Sequence, residues 1–144
     1  MAVRDESDLG EVRGLLLEYT ASLAFPLDFQ DFERELAELP GAYAPPSGAL
    51  LLSRGCVALR PLDDTTCELK RLYVRPQARG GGLGRRLAEA AVAEARRLGY
   101  TRMRLDTVPG METAQALYEQ LGFRETAPYR TNPIEGTRFL ELDV

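Results

Sequence analysis

The stretch VRPQARGGGLGRRLAEAAV, residues 74–92, constrains this chain most. Glycine is the poorest helix former apart from proline. Yet Gly80, Gly81, Gly82 and Gly84 stand immediately before the strongest helical period in the sequence. Leu83, Leu87, Ala91, Ala95 and Leu98 recur on one face from about Gly82 to Leu98, and Gly99 supplies a C-terminal stop. On the other side, CELKRLYV alternates as a strand does. The unit is therefore strand, glycine loop, helix. A helix N-terminus presents unpaired N–H groups and partial positive charge. Glycines ahead of it let a phosphate reach the backbone with no Cβ in the way. Arg75, Arg79, Arg85 and Arg86 add charge around that mouth. The loop is not a P-loop, because no Gly-Lys-Ser/Thr follows. It also fails the dinucleotide pattern, whose third glycine would fall on Arg85 or Leu87. A glycine-rich surface turn with no ligand is the alternative reading.

The strand before the loop carries a break in parity. Leu69 and Arg71 share one face, and Leu72 and Val74 share the other. Bringing Leu69, Leu72 and Val74 to one apolar face needs an extra residue, so a β-bulge is expected between Lys70 and Leu72. Elsewhere, Asp8 is expected to cap a helix to about Leu23, with Leu9, Val12, Leu16, Tyr19 and Leu23 aligned. A second helix is expected from about Asp31 to Leu39, ended by Pro40 and Gly41. YAPPSG reads as a loop, and ALLLSRGCVALRPL as two strands around Arg54-Gly55. YTRMRLDT alternates with Met103 and Leu105 inward, and a helix follows from about Met111 to Leu121, stopped by Gly122. FRETAPYR and TRFLELDV read as two closing strands. A short first strand has only Ala2 and Val3 to offer. The order (β)ααβββαβαββ predicts an α/β (α+β) fold, with a mixed, mostly antiparallel sheet flanked by helices. The 144 residues are expected to form a single domain, 1–144.

Charge is unevenly placed. Residues 68–104 hold ten Lys or Arg against three acids, while the chain as a whole has a formal charge of −4. A basic middle suits a polyanionic ligand, and acidic flanks suit a cationic one. Basic residues are not interleaved with aromatics, which argues against nucleic acid. Cys56 and Cys67 lack metal-ligand spacing, and the sequence has no histidine. A zinc site or His-dependent triad is thereby excluded, no metal is expected, and both cysteines read as buried thiols. No leader pattern opens the chain and no apolar run reaches membrane-spanning length, so a cytoplasmic protein without membrane contact is expected.

ELKRLYVRPQARGGGLGRRLAEAAV, followed by ALYEQLGF, resembles the GNAT superfamily of N-acetyltransferases. The family's Gln/Arg-x-x-Gly-x-Gly/Ala signature is met by Arg79, Gly82 and Gly84. Its Leu-Tyr-x-x-x-Gly-Phe signature is met by Leu117, Tyr118, Gly122 and Phe123. Residues 66–123 match closely, and the element order extends the likeness over nearly the whole chain. The resemblance implies acetyl-CoA as co-substrate. Its pyrophosphate would be held by N–H groups of Arg79, Gly80, Gly81, Gly82, Leu83, Gly84 and Arg85. Its pantetheine arm would pair with the backbone of Leu72, Tyr73 and Val74 like an added strand. The bulge would help splay this strand from the next and open a slot for the arm.

The same resemblance implies direct acetyl transfer to a primary amine in a ternary complex. Glu68, eleven residues before Arg79, is the candidate base, directly or through water. An ion pair with Lys70 or Arg71 is the alternative. Tyr118 is the candidate proton donor to the coenzyme A thiolate, and a tyrosine packing one helix face is its alternative. One departure is Met111, where many members carry Asn. The amine of a small molecule or peptide would be read by the N-terminal helices, the 40–48 loop and the 126–137 segment. Asp28, Gln30, Asp31, Tyr43, Tyr129 and Asn132 are the candidates there. A homodimer is compatible with the family. A non-catalytic acyl-CoA-binding sensor is the competing function.

Overall fold

The computed structural model describes Ala2, residues 6–22 and residues 32–144. Helices α1 (Glu6–Ser22) and α2 (Phe32–Glu38) come first. Strands β1 (Ala49–Leu52), β2 (Gly55–Pro61) and β3 (Thr66–Val74) form a meander. Helix α3 (Leu83–Arg97), β4 (Arg102–Thr107), α4 (Glu112–Gln120), β5 (Arg124–Glu125) and β6 (Arg138–Asp143) complete the order. The six strands make one sheet in the order β1-β2-β3-β4-β6-β5. All neighbours are antiparallel except β3 and β4. The mixed, mostly antiparallel sheet expected from the sequence is present, with three adjustments. The first helix starts at Glu6, so Asp8 lies inside it rather than at its cap. FRETAPYR contributes only the two residues of β5, because Pro128 and its neighbours leave the sheet. Ala2 makes one isolated bridge to Leu51. Val3 and Leu23 lie outside the described residues.

Alternation divides the sheet into two faces of different character. One face is apolar: Val57, Leu59, Cys67, Leu69, Met103, Leu105 and Leu140 pack with Leu87, Ala91 and Ala95 of α3 and with Tyr118 and Phe123. The opposite face is apolar only over β1–β2, where Leu50, Leu52, Cys56 and Ala58 meet Leu9, Val12, Leu15 and Leu16 of α1. Farther across, the same face carries Arg60, Glu68 and Lys70 in one row and Arg104, Asp106 and Glu141 in the next. Both cysteines are buried free thiols, and burial pushes each up to about 12.

The bulge lies where the broken parity requires it. Cys56 pairs with Tyr73 and Ala58 with Lys70, so Val57 alone faces Arg71 and Leu72. Arg71 takes a φ of +60°, the left-handed region that costs an L-residue about 1–2 kcal/mol. Leu69, Leu72 and Val74 all reach the apolar core as a result.

Candidate active site

β3 pairs with β4 only at Thr66–Arg102, Cys67–Met103 and Glu68–Arg104. Beyond Glu68 the strands part. Residues 69–74 keep their β2 partners but have none on the β4 side. The gap closes at Glu68 and opens toward Val74, which leads straight into the glycine loop. Pro76–Ala78 make one 3-10 turn, and Gly82, at φ +78°, is the N-cap of α3. No side chain caps that N-terminus. The guanidinium of Arg79 folds back: its Nε donates to the Val74 carbonyl at 2.9 Å, and it lies 5.7 Å from the Tyr73 ring centre. Arg86 donates to the Gly81 carbonyl, and Arg85 to Gln120 of α4.

The loop glycines differ in what the fold asks of them. Gly82 is held by its positive φ. Gly81 is not: a Cβ there would meet open space, and one at Gly84 would make ordinary contacts with Val74 and Leu117. At these two positions the protein itself does not exclude a side chain.

Tyr118, on α4, is buried in the core on the apolar face of the sheet, with its ring edge-on to Phe123 at 5.6 Å. Burial raises its phenol well above the ordinary value, and the next influence is Tyr19. Tyr19 belongs to α1, on the other face of the sheet, packed against Tyr73 at 5.8 Å. Tyr118 thus stays protonated at neutral pH, the form a proton donor needs.

Glu68 stands at the apex of the gap with its side chain fully buried. The expected alternative partners, Lys70 and Arg71, are not the ones it takes. Arg60 donates Nε to Oε1 at 2.9 Å, Tyr129 donates its hydroxyl to Oε2 at 2.6 Å, and Arg130 pairs with Oε2. Arg71 instead forms a two-pronged bridge to Glu35 of α2, at 2.8 and 2.7 Å. Burial alone would raise the Glu35 carboxyl, but the hydrogen bonds and charge of Arg71 hold it below its ordinary value. Lys70 is buried, and that burial, with the charges of Arg71 and Arg60, pulls its ammonium down to about 7.

Of the acceptor-side candidates, Tyr129 reaches Glu68, and Asn132 donates to Asp106 at 3.1 Å. Tyr43 is buried beside Glu35. Asp28, Gln30 and Asp31 lie outside the described residues. Arg60, Lys70, Arg104, Asp106 and Arg130 were not picked out from sequence as parts of the site. The one signal was parity: charges at every second position of LRPL…ELKR and RMRLD mark a strand face that is not core. Met111 is the N-cap of α4 and makes no side-chain cap. Among the described residues no group of His, Cys, Asp and Glu is arranged to hold a metal. No described helix is long and apolar enough to cross a membrane.

A parted parallel strand pair, with a glycine loop and helix N-terminus at its open end, is the arrangement that the sequence resemblance implied. The profile of the acetyltransferase (GNAT) family matches residues 24–123. An N-acetyltransferase of Schizosaccharomyces pombe, itself uncharacterized, is 38% identical over 99% of this chain and 93% of its own length. Two solved structures show the same fold. A GNAT-family acetyltransferase of Staphylococcus aureus superposes with a TM-score of 0.80 at 18% identity, over 99% of this chain and 96% of its own. Another, from Elizabethkingia anophelis with acetyl-CoA bound, gives 0.60 at 21% identity, over 87% and 94%. The chain belongs to the GNAT acetyltransferase family, and is an acyltransferase of that family.

Proposed function

We propose that this protein transfers an acetyl group from acetyl-CoA to a primary amine of a small molecule or peptide, in one ternary complex. The observation that carries this is the one-sided edge of β3. Among the described residues, Leu69, Lys70, Tyr73 and Val74 pair with β2 and nothing from β4 pairs with them, and the strand runs directly into a glycine loop at an uncapped helix N-terminus. A pantetheine arm has amides to pair with such an edge. The loop N–H groups from Arg79 to Arg85 suit a pyrophosphate. The Elizabethkingia neighbour, with acetyl-CoA bound, supports that choice of co-substrate.

The chemistry falls to groups at the apex of the gap. The amine nitrogen forms a bond to the thioester carbonyl carbon, and the carbon–sulfur bond breaks. Tyr118 gives its phenolic proton to the departing thiolate and recovers one from solvent. Glu68 takes the proton that the amine must lose, once the acceptor replaces Tyr129 and Arg130 at Oε2. The free thiols play no part, since burial keeps both protonated at neutral pH.

The test is Tyr118→Phe, assayed by thiol release at saturating acetyl-CoA against a panel of amines. The substitution keeps the ring on Phe123, so fold and coenzyme affinity hold. Turnover falls on the order of 10²-fold, the scale of a lost general acid. Full activity in this variant returns Tyr118 to a packing role. Coenzyme binding without acetylation of any amine in the panel favours the sensor reading.

A further inference from the structure

We infer that Lys70 is itself an acyl acceptor: with acetyl-CoA bound and no external amine in the site, the protein acetylates its own Lys70. This rests on the acetyltransferase reading above, because it draws on the same thioester.

The sequence makes Lys70 singular. Of the 18 Lys and Arg residues, it alone is lysine. Every other basic side chain is a guanidinium, which keeps its proton at neutral pH and has no lone pair to give. Lys70 carries the one side-chain amine in the sequence, and burial can strip an amine of its proton.

The fold puts that amine beside the gap. Glu68 is the last residue of β3 to pair with β4, and Lys70 follows it on the same face of the sheet. Lys70 pairs with Ala58 of β2, and nothing from β4 pairs with it. It is only 5% exposed. Arg71 next to it, Arg60 of β2, Asp106 of β4 and Glu35 of α2 all act on its charge, so groups from both banks of the gap surround it. Burial outweighs them and pulls the ammonium down to about 7. At pH 7 the neutral fraction is then on the order of 10³-fold larger than for a solvated lysine. Lys70 has an interaction of its own within the fold. A neutral amine keeps two N–H donors for such a partner and still presents its lone pair.

The coenzyme brings its thioester past this residue. With the pyrophosphate at the glycine loop and the pantetheine arm along Leu72–Val74, the thioester end points toward Glu68, and Lys70 lies between. An external amine stands differently. The Glu68 side chain is fully buried, and Tyr129 and Arg130 hold its Oε2, so an acceptor must displace them to reach the base. Lys70 is already inside the fold and needs no exchange at Glu68.

The step balances without a further reactant. The Nζ lone pair forms a bond to the thioester carbonyl carbon. The carbon–sulfur bond breaks, with its electron pair on sulfur. The nitrogen gives one proton to water, and the thiolate gains one from Tyr118. The products are an acetylated lysine and CoA with a free thiol. An amide does not pass its acetyl group on to an amine, so each chain reacts once.

The experiment needs only the wild-type chain. It is incubated at pH 7 with acetyl-CoA and no acceptor, and followed by intact mass and by peptide mapping, which separates Lys70 from the N-terminal amine. Each chain gains one acetyl group on Lys70. The reaction is at least about 100-fold faster in the folded chain than in the same chain unfolded in urea, where the lysine is almost wholly protonated. Excess CoA, which fills the gap without an acetyl group, suppresses it. An unmodified Lys70 under saturating acetyl-CoA overturns the inference. So does labelling no faster than in urea, or labelling that excess CoA leaves unchanged. An amine of the panel that is acetylated while Lys70 stays bare sinks the inference and leaves the acetyltransferase reading standing. Lys70 labelled with no amine of the panel acetylated upholds the inference and sinks transfer to a free acceptor, so the two failures are distinct.

Discussion

Arg71 shows how one residue holds the site open. Its left-handed backbone makes the bulge, and its side chain, only 3% exposed, is gripped by Glu35 and lies 5.7 Å from the Phe32 ring centre. The ion pair offsets the strain and ties α2 to the strand that lines the gap. Arg71→Ala leaves Glu35 unpaired at 13% exposure. Breaking one side of such a buried pair costs about 3–5 kcal/mol, which chemical denaturation will measure. A loss below 1 kcal/mol would mean that the clasp is not what maintains the bulge. Lys70 makes a different prediction. Its folded value, about 7, lies below the ordinary lysine value of 10.5, so between them the unfolded chain binds the extra proton. Stability therefore rises with pH across that window, by at most about 1.4 kcal/mol per pH unit. Arg71, Asp106, Arg60 and Glu35 face the ammonium, and burial outweighs them all. Above pH 9 the buried thiols oppose the trend, because their values are raised to about 12. The cleanest reading is the difference between wild type and Lys70→Met from pH 6 to 9: it grows in favour of wild type as pH rises. A flat difference would show that Lys70 carries its charge in the folded state.

At the scale of elements, β3 was legible and β5 was not. The parity of CELKRLYV cannot be satisfied without an extra residue, so bulge and slot both follow from local sequence. FRETAPYR alternates equally well on paper, but its pairing with β6 runs over Arg124 and Glu125 and ends with one backbone bond from Thr126 to Phe139. The site divides in the same way. The glycine loop and Tyr118 lie within contiguous motifs. The partners of Glu68 do not: Arg60 is a hairpin neighbour, whereas Tyr129 and Arg130 return 61 and 62 residues later. No local pattern encodes that closure. Helix α3 supplies the element-scale prediction. The fold has room for a Cβ at Gly84, where contacts to Val74 and Leu117 would be 3.6 and 4.0 Å. Gly84→Ala therefore keeps or raises stability, by up to about 1 kcal/mol, since alanine is the better helix former. If the position is glycine for the ligand, CoA affinity falls in that variant while Tm does not. Unaltered affinity by calorimetry would leave Gly84 without a role in the cradle.

The whole molecule is one sheet used on both faces and split in its middle. The apolar face buries α3 and Tyr118; the other face carries the charged row. The split leaves β3 without a β4 partner beyond Glu68 at the centre of the sheet, where open edges are otherwise costly. A ligand that fills the gap completes the sheet, so its effect should be global. Binding to the native state alone stabilises by about 2.7 kcal/mol at a hundredfold excess over Kd. For a chain of 144 residues that corresponds to a rise in Tm of roughly 9 °C. Hydrogen exchange locates the cause. Amides between Leu69 and Val74 gain protection with CoA, and more than those of β1, which lies two strands away and already has its β2 partners. ADP supplies the pyrophosphate but no pantetheine arm. It stabilises the protein less and leaves the β3 amides as they were. Equal protection of β3 by ADP and CoA would show that the arm does not lie along this edge, and that the gap is filled from the loop alone.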